Sequence, residues 1–183
     1  MDNNINKNIT IREAVHIGSD ILRKNNIDNA DYDSYALLEN IMAIDRTYYL
    51  LHGNDILPQD IREKFESAVM KRASHIPLQH IIGKSWFYGY EYNVNENVLI
   101  PRPDTEVLVE QVLSVTDEKS YILDMCTGSG CIIITIACEK HLSKGIGVDI
   151  SPQALKVAQS NIALHDVENV TLIESDLFNN LND

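Results

Sequence analysis

A glycine-rich turn between two apolar runs carries the residues of this sequence that are best suited to chemistry. The turn consists of Cys126, Thr127, Gly128, Ser129 and Gly130, and it follows the apolar run 121–123 and an acid. Glycine has no side chain and tolerates positive φ, so a ligand can approach the backbone of such a turn closely. The apolar run 131–137 indicates a buried helix, whose N-terminus would offer N–H groups and a positive dipole end to a carboxylate or phosphate.

A second acid lies at the spacing that a ribose site needs. Residues 145–148 predict another strand, and Asp149 follows it, 19 residues after Gly130. An acid that closes the second strand of a βαβ unit is placed to accept hydrogen bonds from ribose hydroxyls. The turn and Asp149 together predict a site for an adenosine-type cofactor. The alternative is an ordinary strand-turn-helix of a parallel sheet, with no ligand.

The glycine spacing argues against a dinucleotide. The fingerprint G-x-G-x-x-G would need a glycine at position 133, where the sequence has Ile133. The remaining pattern, D-x-C-x-G-x-G, is close to the acid-x-Gly-x-Gly-x-Gly loop of S-adenosylmethionine methyltransferases, with Cys126 in the first glycine position. A pyrophosphate needs a tight cradle, whereas the sulfonium cofactor carries an amino acid end and no phosphate.

Composition narrows the class of protein further. The 183 residues are 44% apolar, which is enough for a real core in one or two domains. No apolar run approaches the length of a membrane span, and the polar start is unlike a signal peptide, so we expect a soluble, cytoplasmic protein. A net charge of −12 disfavours direct nucleic-acid binding. Three cysteines, at 126, 131 and 138, are spaced unlike zinc ligands, so no metal site is expected.

The elements before the turn divide into helices and a linker. Residues 1–75 predict a helical N-terminal domain, which opens with a capping box formed by Thr10 and Glu13. Further helices are predicted over 32–44 and from Pro58 onward, and a short turn over 47–52 is predicted between them. Aromatic alternation around two glycines predicts a β-hairpin linker over 76–97.

The remainder, 98–183, predicts a parallel sheet covered by helices. Pro101 and Pro103 fix an extended segment that would wall a pocket beside the turn. The expected strands lie near 121–125, 146–150 and 170–174, and the expected helices near 103–115, 130–141 and 152–164.

Four pieces of sequence occur in the order LIPRPDTEVLVE, ILDMCTGSGCI, GVDISPQALKVAQSNI and ESDLF, and the first domain contains RTYYLLHG. Together these pieces closely resemble the HemK-type peptide chain release factor glutamine methyltransferases. The resemblance covers nearly the whole chain. It implies an α/β protein with an all-α substrate-recognition domain, a hairpin linker, and the first half of a Rossmann-like class I methyltransferase domain.

The resemblance also implies an activity and a set of site residues. Family members transfer a methyl group from S-adenosylmethionine to the side-chain amide nitrogen of the glutamine in a Gly-Gly-Gln motif of class I release factors. By resemblance, the turn 126–130 contacts the amino acid end of the cofactor and Asp149 holds the ribose. Asp176 and Leu177 would border the adenine. The residues expected to line the pocket are Arg102, Pro103 and Thr105.

One departure from the family pattern affects catalysis. The Asn-Pro-Pro-Tyr motif that holds the acceptor amide in the family does not occur in this sequence. We therefore expect a truncated chain that has no catalytic residue of its own and is inactive alone. We also expect it to self-associate through an open sheet edge at 121–125. Two other functions stay open: methylation of a ribosomal-protein glutamine or a nucleobase amine, and a non-catalytic partner-binding module.

Overall fold

The computed structural model describes residues 8–140 and 144–181. The chain forms two compact units, which divide between Ile82 and Gly83.

The first unit is helical in its described part. The capping box predicted at Thr10 is present, because the Thr10 amide donates to Glu13 Oε2 over 2.8 Å and the Glu13 amide donates to Thr10 Oγ1 over 3.2 Å. The helices are α1 (Ile11–Lys24), α2 (Ala30–Met42), α3 (Arg46–His52), α4 (Gln59–Ala73) and α5 (Leu78–Ile82).

The helical unit has its own core. Leu22 of α1, Leu38 of α2 and Val69 of α4 are almost fully buried in one apolar cluster. One ion pair lies at its margin, where Arg72 Nε donates to Asp33 Oδ2 over 2.7 Å. Both side chains are largely buried, so each needs the other to offset the loss of hydration.

Helix α5 lies where the sequence predicted part of the hairpin linker. The carbonyl of Pro77 accepts from the Ile81 amide, and Leu78 is buried in the helical core. Gly83, at φ +84°, follows the helix in the left-handed conformation that often ends helices. The predicted start of the hairpin at residue 76 was therefore wrong, because a helix of five residues is too short to show a helical period in the sequence.

The hairpin itself consists of β1 (Lys84–Phe87) and β2 (Tyr90–Asn93), paired antiparallel. Tyr88 and Gly89 connect them with φ values of +51° and +78°. Positive φ at both central residues is the requirement of a type I′ turn, whose twist suits a two-residue hairpin. Phe87 and Tyr92 are buried in the core of the second unit.

The second unit is built on a parallel sheet, as predicted. Among the described residues its order is β3-β4-β5, so β3 lies at one edge. The predicted α/β fold with an incomplete Rossmann-like sheet is therefore confirmed. The strands are β3 (Tyr121–Met125), β4 (Lys144–Asp149) and β5 (Val170–Glu174), and the helices are α6 (Glu106–Val115), α7 (Cys131–Glu139) and α8 (Pro152–Leu164).

Helix α7 is the most deeply buried of the helices beside this sheet. Ile133, Ile134 and Ile136 are at most 1% exposed. By contrast, Tyr121 and Leu123 of the edge strand are 75% and 42% exposed. Within the described part of the chain, no helix combines the length and apolar character needed to cross a membrane.

Candidate cofactor site at the glycine-rich turn

The turn between β3 and α7 is built from alternating left-handed residues. Cys126, Gly128 and Gly130 have φ values of +62°, +56° and +78°. The conformation suits the two glycines, whereas at Cys126 it carries a steric cost that glycine would avoid. Thr127 separates two of these residues, and its amide donates to the Val148 carbonyl over 2.8 Å. The turn is therefore tied to the neighbouring strand β4.

The two glycines serve different purposes. A Cβ built on Gly130 would lie 2.7 Å from Ile134 Cδ1 and 3.3 Å from the Ala158 Cβ, so Gly130 allows the turn, α7 and α8 to pack. A Cβ built on Gly128 meets no atom within 4 Å. The space over Gly128 is therefore open, and any side chain there would fill it.

The Asp149 carboxylate closes the turn from the end of β4. Its Oδ2 accepts from the Gly128 amide over 2.9 Å, and its Oδ1 accepts from the Ser151 amide over 3.0 Å. Each carboxylate oxygen can accept two hydrogen bonds, so Asp149 keeps acceptor capacity for a ligand. The structure thus brings together the turn 126–130 and Asp149, as the spacing of the sequence suggested.

Asp124, in strand β3, supports the turn through a side-chain hydrogen bond. This buried acid accepts from the Thr127 hydroxyl over 2.6 Å. Burial raises the pKa of the Asp124 carboxyl above its ordinary value, against the lowering effect of the Thr127 hydrogen bond. The pattern before the turn includes this acid, but Asp124 was not predicted as a site residue. The signal was its place at the end of the first strand.

The cysteines differ in exposure. Cys126 is exposed, Cys131 is buried and Cys138 is intermediate. Burial raises the pKa of the Cys131 thiol to about 11, so this thiol is protonated at neutral pH.

Asp176 and Leu177 follow the last strand of the sheet. The amide of Ser175 donates to the Asp149 carbonyl over 3.0 Å, which ties the start of this segment to the end of β4. Leu177 has φ +51° and is 52% exposed, and Asp176 is exposed as well. The segment is thus tied to the Asp149 backbone at Ser175, and the side chains of both residues are accessible.

Arg102, Pro103 and Thr105 form a separate group. They lie in a 3-10 turn before α6, closed by a hydrogen bond from the Thr105 amide to the Arg102 carbonyl. The next residue, Glu106, accepts from the Tyr88 amide over 2.8 Å and so ties this segment to the hairpin. Among the described residues, no hydrogen bond joins these three predicted wall residues to the turn 126–130.

Two family models match the chain. The model described as the PrmC N-terminal domain matches residues 13–83, and a model described as a methyltransferase domain matches residues 116–183. The two matches fall on the helical unit and on the parallel sheet.

Curated relatives point to one family. A release factor glutamine methyltransferase of Cereibacter sphaeroides is 40% identical over 75% of this chain and 49% of its own length. One of Fusobacterium nucleatum is 37% identical over 87% of this chain and 46% of its own length. Among solved structures, Trm5b of Pyrococcus abyssi matches 51% of this chain and 28% of its own chain at 25% identity, with a TM-score of 0.45.

The chain spans about half the length of these two curated relatives. With a PrmC N-terminal domain followed by a methyltransferase domain, it belongs to the family of the release factor glutamine methyltransferases.

Proposed function

We propose that this protein transfers a methyl group from S-adenosylmethionine to the side-chain amide nitrogen of the glutamine in the Gly-Gly-Gln motif of class I peptide chain release factors. The observation that carries the proposal is the left-handed turn 126–130, closed by the Asp149 carboxylate. The names of the curated relatives support the choice of substrate.

The described residues fit the cofactor. Open space above Gly128 leaves room for the amino acid end against the backbone of the turn. The N-terminus of α7 directs its dipole at the same place, where it would stabilise the carboxylate of that end. The remaining lone pairs of Asp149 would accept from the two ribose hydroxyls. When bound, S-adenosylmethionine would supply an electrophilic methyl group on a cationic sulfur.

Two further groups of residues complete the proposed pocket. Asp176 and Leu177, which follow β5, would border the adenine, one through its polar atoms and the other through an exposed apolar side chain. Arg102, Pro103 and Thr105 would line the pocket wall. Their 3-10 turn is fixed by the hydrogen bond between Glu106 and the hairpin.

The acceptor amide sets a separate requirement. Its nitrogen is a poor nucleophile because its lone pair is delocalised into the carbonyl, so a site must hold the amide and aim it at the methyl group. The Asn-Pro-Pro-Tyr motif that does this in the family is not part of this sequence. We therefore propose that these residues supply the cofactor side of the site and give no methyl transfer on their own.

The partner is proposed to be a protein in the cytoplasm, where release factors act. The helical unit would take part in recognising it. A net charge of −12 makes direct binding to a nucleic-acid backbone unfavourable, and no membrane is required.

A labelled-methyl assay on a purified release factor tests the proposal. A chain extended through the family's Asn-Pro-Pro-Tyr motif is expected to label the factor, and mass spectrometry should place the methyl group on the glutamine of the Gly-Gly-Gln motif. A factor whose motif reads Gly-Gly-Ala is the matched control and should stay unlabelled. Labelling of that control, or no labelling of the natural factor, would contradict the proposed substrate. Methyl transfer by residues 1–183 alone would contradict the proposal that these residues supply only the cofactor side of the site.

A further inference from the structure

Asn161 of α8 joins three segments of the second unit through one buried side chain. The residue is fully buried. Its Nδ2 donates to the Ser129 carbonyl over 2.9 Å and to the Asn93 carbonyl over 3.0 Å. Its Oδ1 accepts from the Asn93 amide over 2.7 Å. The side chain therefore bonds the glycine-rich turn and the end of the hairpin at the same time.

The chemistry of the contact requires a carboxamide. Asn93 is the last residue of β2, and both its N–H and its C=O are turned toward α8. Only a group with a donor and an acceptor in one plane can satisfy both, and asparagine has a second donor for Ser129. Any apolar replacement would leave buried backbone groups without partners, which is costly.

The bond to Ser129 fixes one peptide plane of the turn. The carbonyl of the Ser129–Gly130 peptide is held by Asn161, and its N–H, on Gly130, donates to the Thr127 carbonyl over 2.8 Å. The plane is therefore anchored on both sides, and with it the left-handed φ of Gly130. On the opposite side of the turn, the Gly128 amide is anchored by Asp149.

We infer that Asn161 is a positioning residue for cofactor binding, which holds the turn in its binding conformation and couples it to the hairpin. The inference rests on the proposed function, since it assigns Asn161 to the same cofactor site. A turn that is rigid before binding loses less conformational entropy on binding, so the ligand binds more tightly. Asn161 acts without touching the cofactor itself.

Asn161→Asp is the informative variant because it keeps the shape and the acceptor and loses both donors. We expect S-adenosylmethionine, titrated calorimetrically into the chain, to bind about tenfold or more weakly. Thr135→Val is the matched control. Thr135 is equally buried and its Oγ1 bonds the Tyr92 hydroxyl over 2.7 Å, so it also ties the hairpin to a helix. Among the described residues, its side chain forms no hydrogen bond with the turn.

The control variant should lose thermal stability and keep its affinity for S-adenosylmethionine. Equal affinity of Asn161→Asp and the unsubstituted chain, both folded by circular dichroism, would overturn the inference. A similar loss of affinity in Thr135→Val would also overturn it, since general packing of the hairpin would then explain the effect.

Hydrogen exchange separates this inference from the proposed function. If the unsubstituted chain bound no S-adenosylmethionine, the cofactor assignment would fail, but the coupling would still be measurable. Asn161→Asp should speed exchange at the amides of Gly128 and Gly130, whereas Thr135→Val should leave it unchanged. Equal exchange in the two variants would overturn the positioning role.

Discussion

The Asp149 carboxylate has two tasks in the proposed site, because it holds the Gly128 and Ser151 amides and would also hold the ribose. Replacing Asp149 with Ala removes the charge-assisted hydrogen bonds of both kinds. We expect Asp149→Ala to weaken S-adenosylmethionine binding by about 1–3 kcal/mol, measured by calorimetry on a variant that is folded. Glu168→Ala, which removes an exposed acid elsewhere in the same unit, is the control. Unchanged affinity in Asp149→Ala would remove this residue from the site.

Asp124 gives the stability of the chain a predictable dependence on pH. Burial raises its folded-state pKa above the ordinary 3.8, so folding becomes less favourable as the pH rises from the unfolded pKa through the folded one. An amide cannot titrate and can still accept from the Thr127 hydroxyl. Unfolding by urea should therefore show Asp124→Asn gaining stability relative to the unsubstituted chain as the pH rises above about 3.8 toward neutrality.

Asp117 should make stability depend on pH in the opposite direction to Asp124. A hydrogen bond from Ser120 lowers the pKa of its exposed carboxyl, so its contribution to stability is present above the unfolded pKa and is lost as the pH falls through the folded pKa. Asp117→Asn should therefore lose stability relative to the unsubstituted chain as the pH rises. The same sign for both variants would contradict the assigned role of burial at Asp124.

Individual residues differ in how far the sequence could reveal them. Asp149 was predicted as a site residue because a fixed spacing within one βαβ unit indicates it. The role of Asn161 depends on contacts with residues 32 and 68 positions away in the sequence, which no local pattern encodes. The assignments of Asp176, Leu177, Arg102, Pro103 and Thr105 stay predictions.

At the scale of the elements, two substitutions in the turn before α7 separate an effect on stability from an effect on cofactor binding. Gly130→Ala combines left-handed strain with a clash against Ile134 and Ala158, so we expect a loss of roughly 2–4 kcal/mol of unfolding free energy. Gly128→Ala carries the strain without the clash, so the expected loss is roughly 1–2 kcal/mol.

The two glycine variants should differ in the opposite sense in cofactor binding. Gly128→Ala should bind S-adenosylmethionine more weakly than Gly130→Ala, although it is the more stable of the two. The new methyl group at Gly128 would occupy the open space above the turn, whereas that at Gly130 points into the protein. Chemical unfolding and calorimetry on both variants provide the comparison. If Gly128→Ala bound normally, the cofactor would have to lie elsewhere.

The elements that the sequence predicted well are those with long or repeated patterns. The strand bounds 121–125 and 170–174 and the helix bounds 152–164 agree with the structure, because apolar runs flanked by turn residues define them. Helix α5 was missed since its five residues are too few for a helical period to be distinguished from a strand. Its helical state is supported by the burial of Leu78 in the helical core, which is a tertiary effect.

For the molecule as a whole, the edge position of β3 predicts association. Tyr121 and Leu123 are exposed on an edge strand, and an unpaired apolar edge favours pairing with a second copy. We expect sedimentation velocity to show concentration-dependent oligomers of this 20.7 kDa chain. The double variant Tyr121→Lys and Leu123→Lys should sediment as a monomer, because charged edge residues oppose pairing.

A matched pair of lysines on another exposed apolar surface serves as the control for that experiment. Leu50 and Leu51 of α3 are 59% and 75% exposed and belong to the helical unit. Their replacement by Lys should leave the oligomers unchanged. A single monomeric species of the unsubstituted chain at all concentrations would contradict association through β3.

Because the helical unit has a core of its own, it should fold early while the chain is being synthesised. Among the described residues, its apolar cluster draws on positions no later than Ile82, and its regular elements are all helices. Such topologies fold fast, whereas parallel strands must wait for a crossover before they can pair. The helical unit is therefore expected to become protease-resistant on the ribosome once Ile82 has left the exit tunnel, before the first strand of the parallel sheet is available.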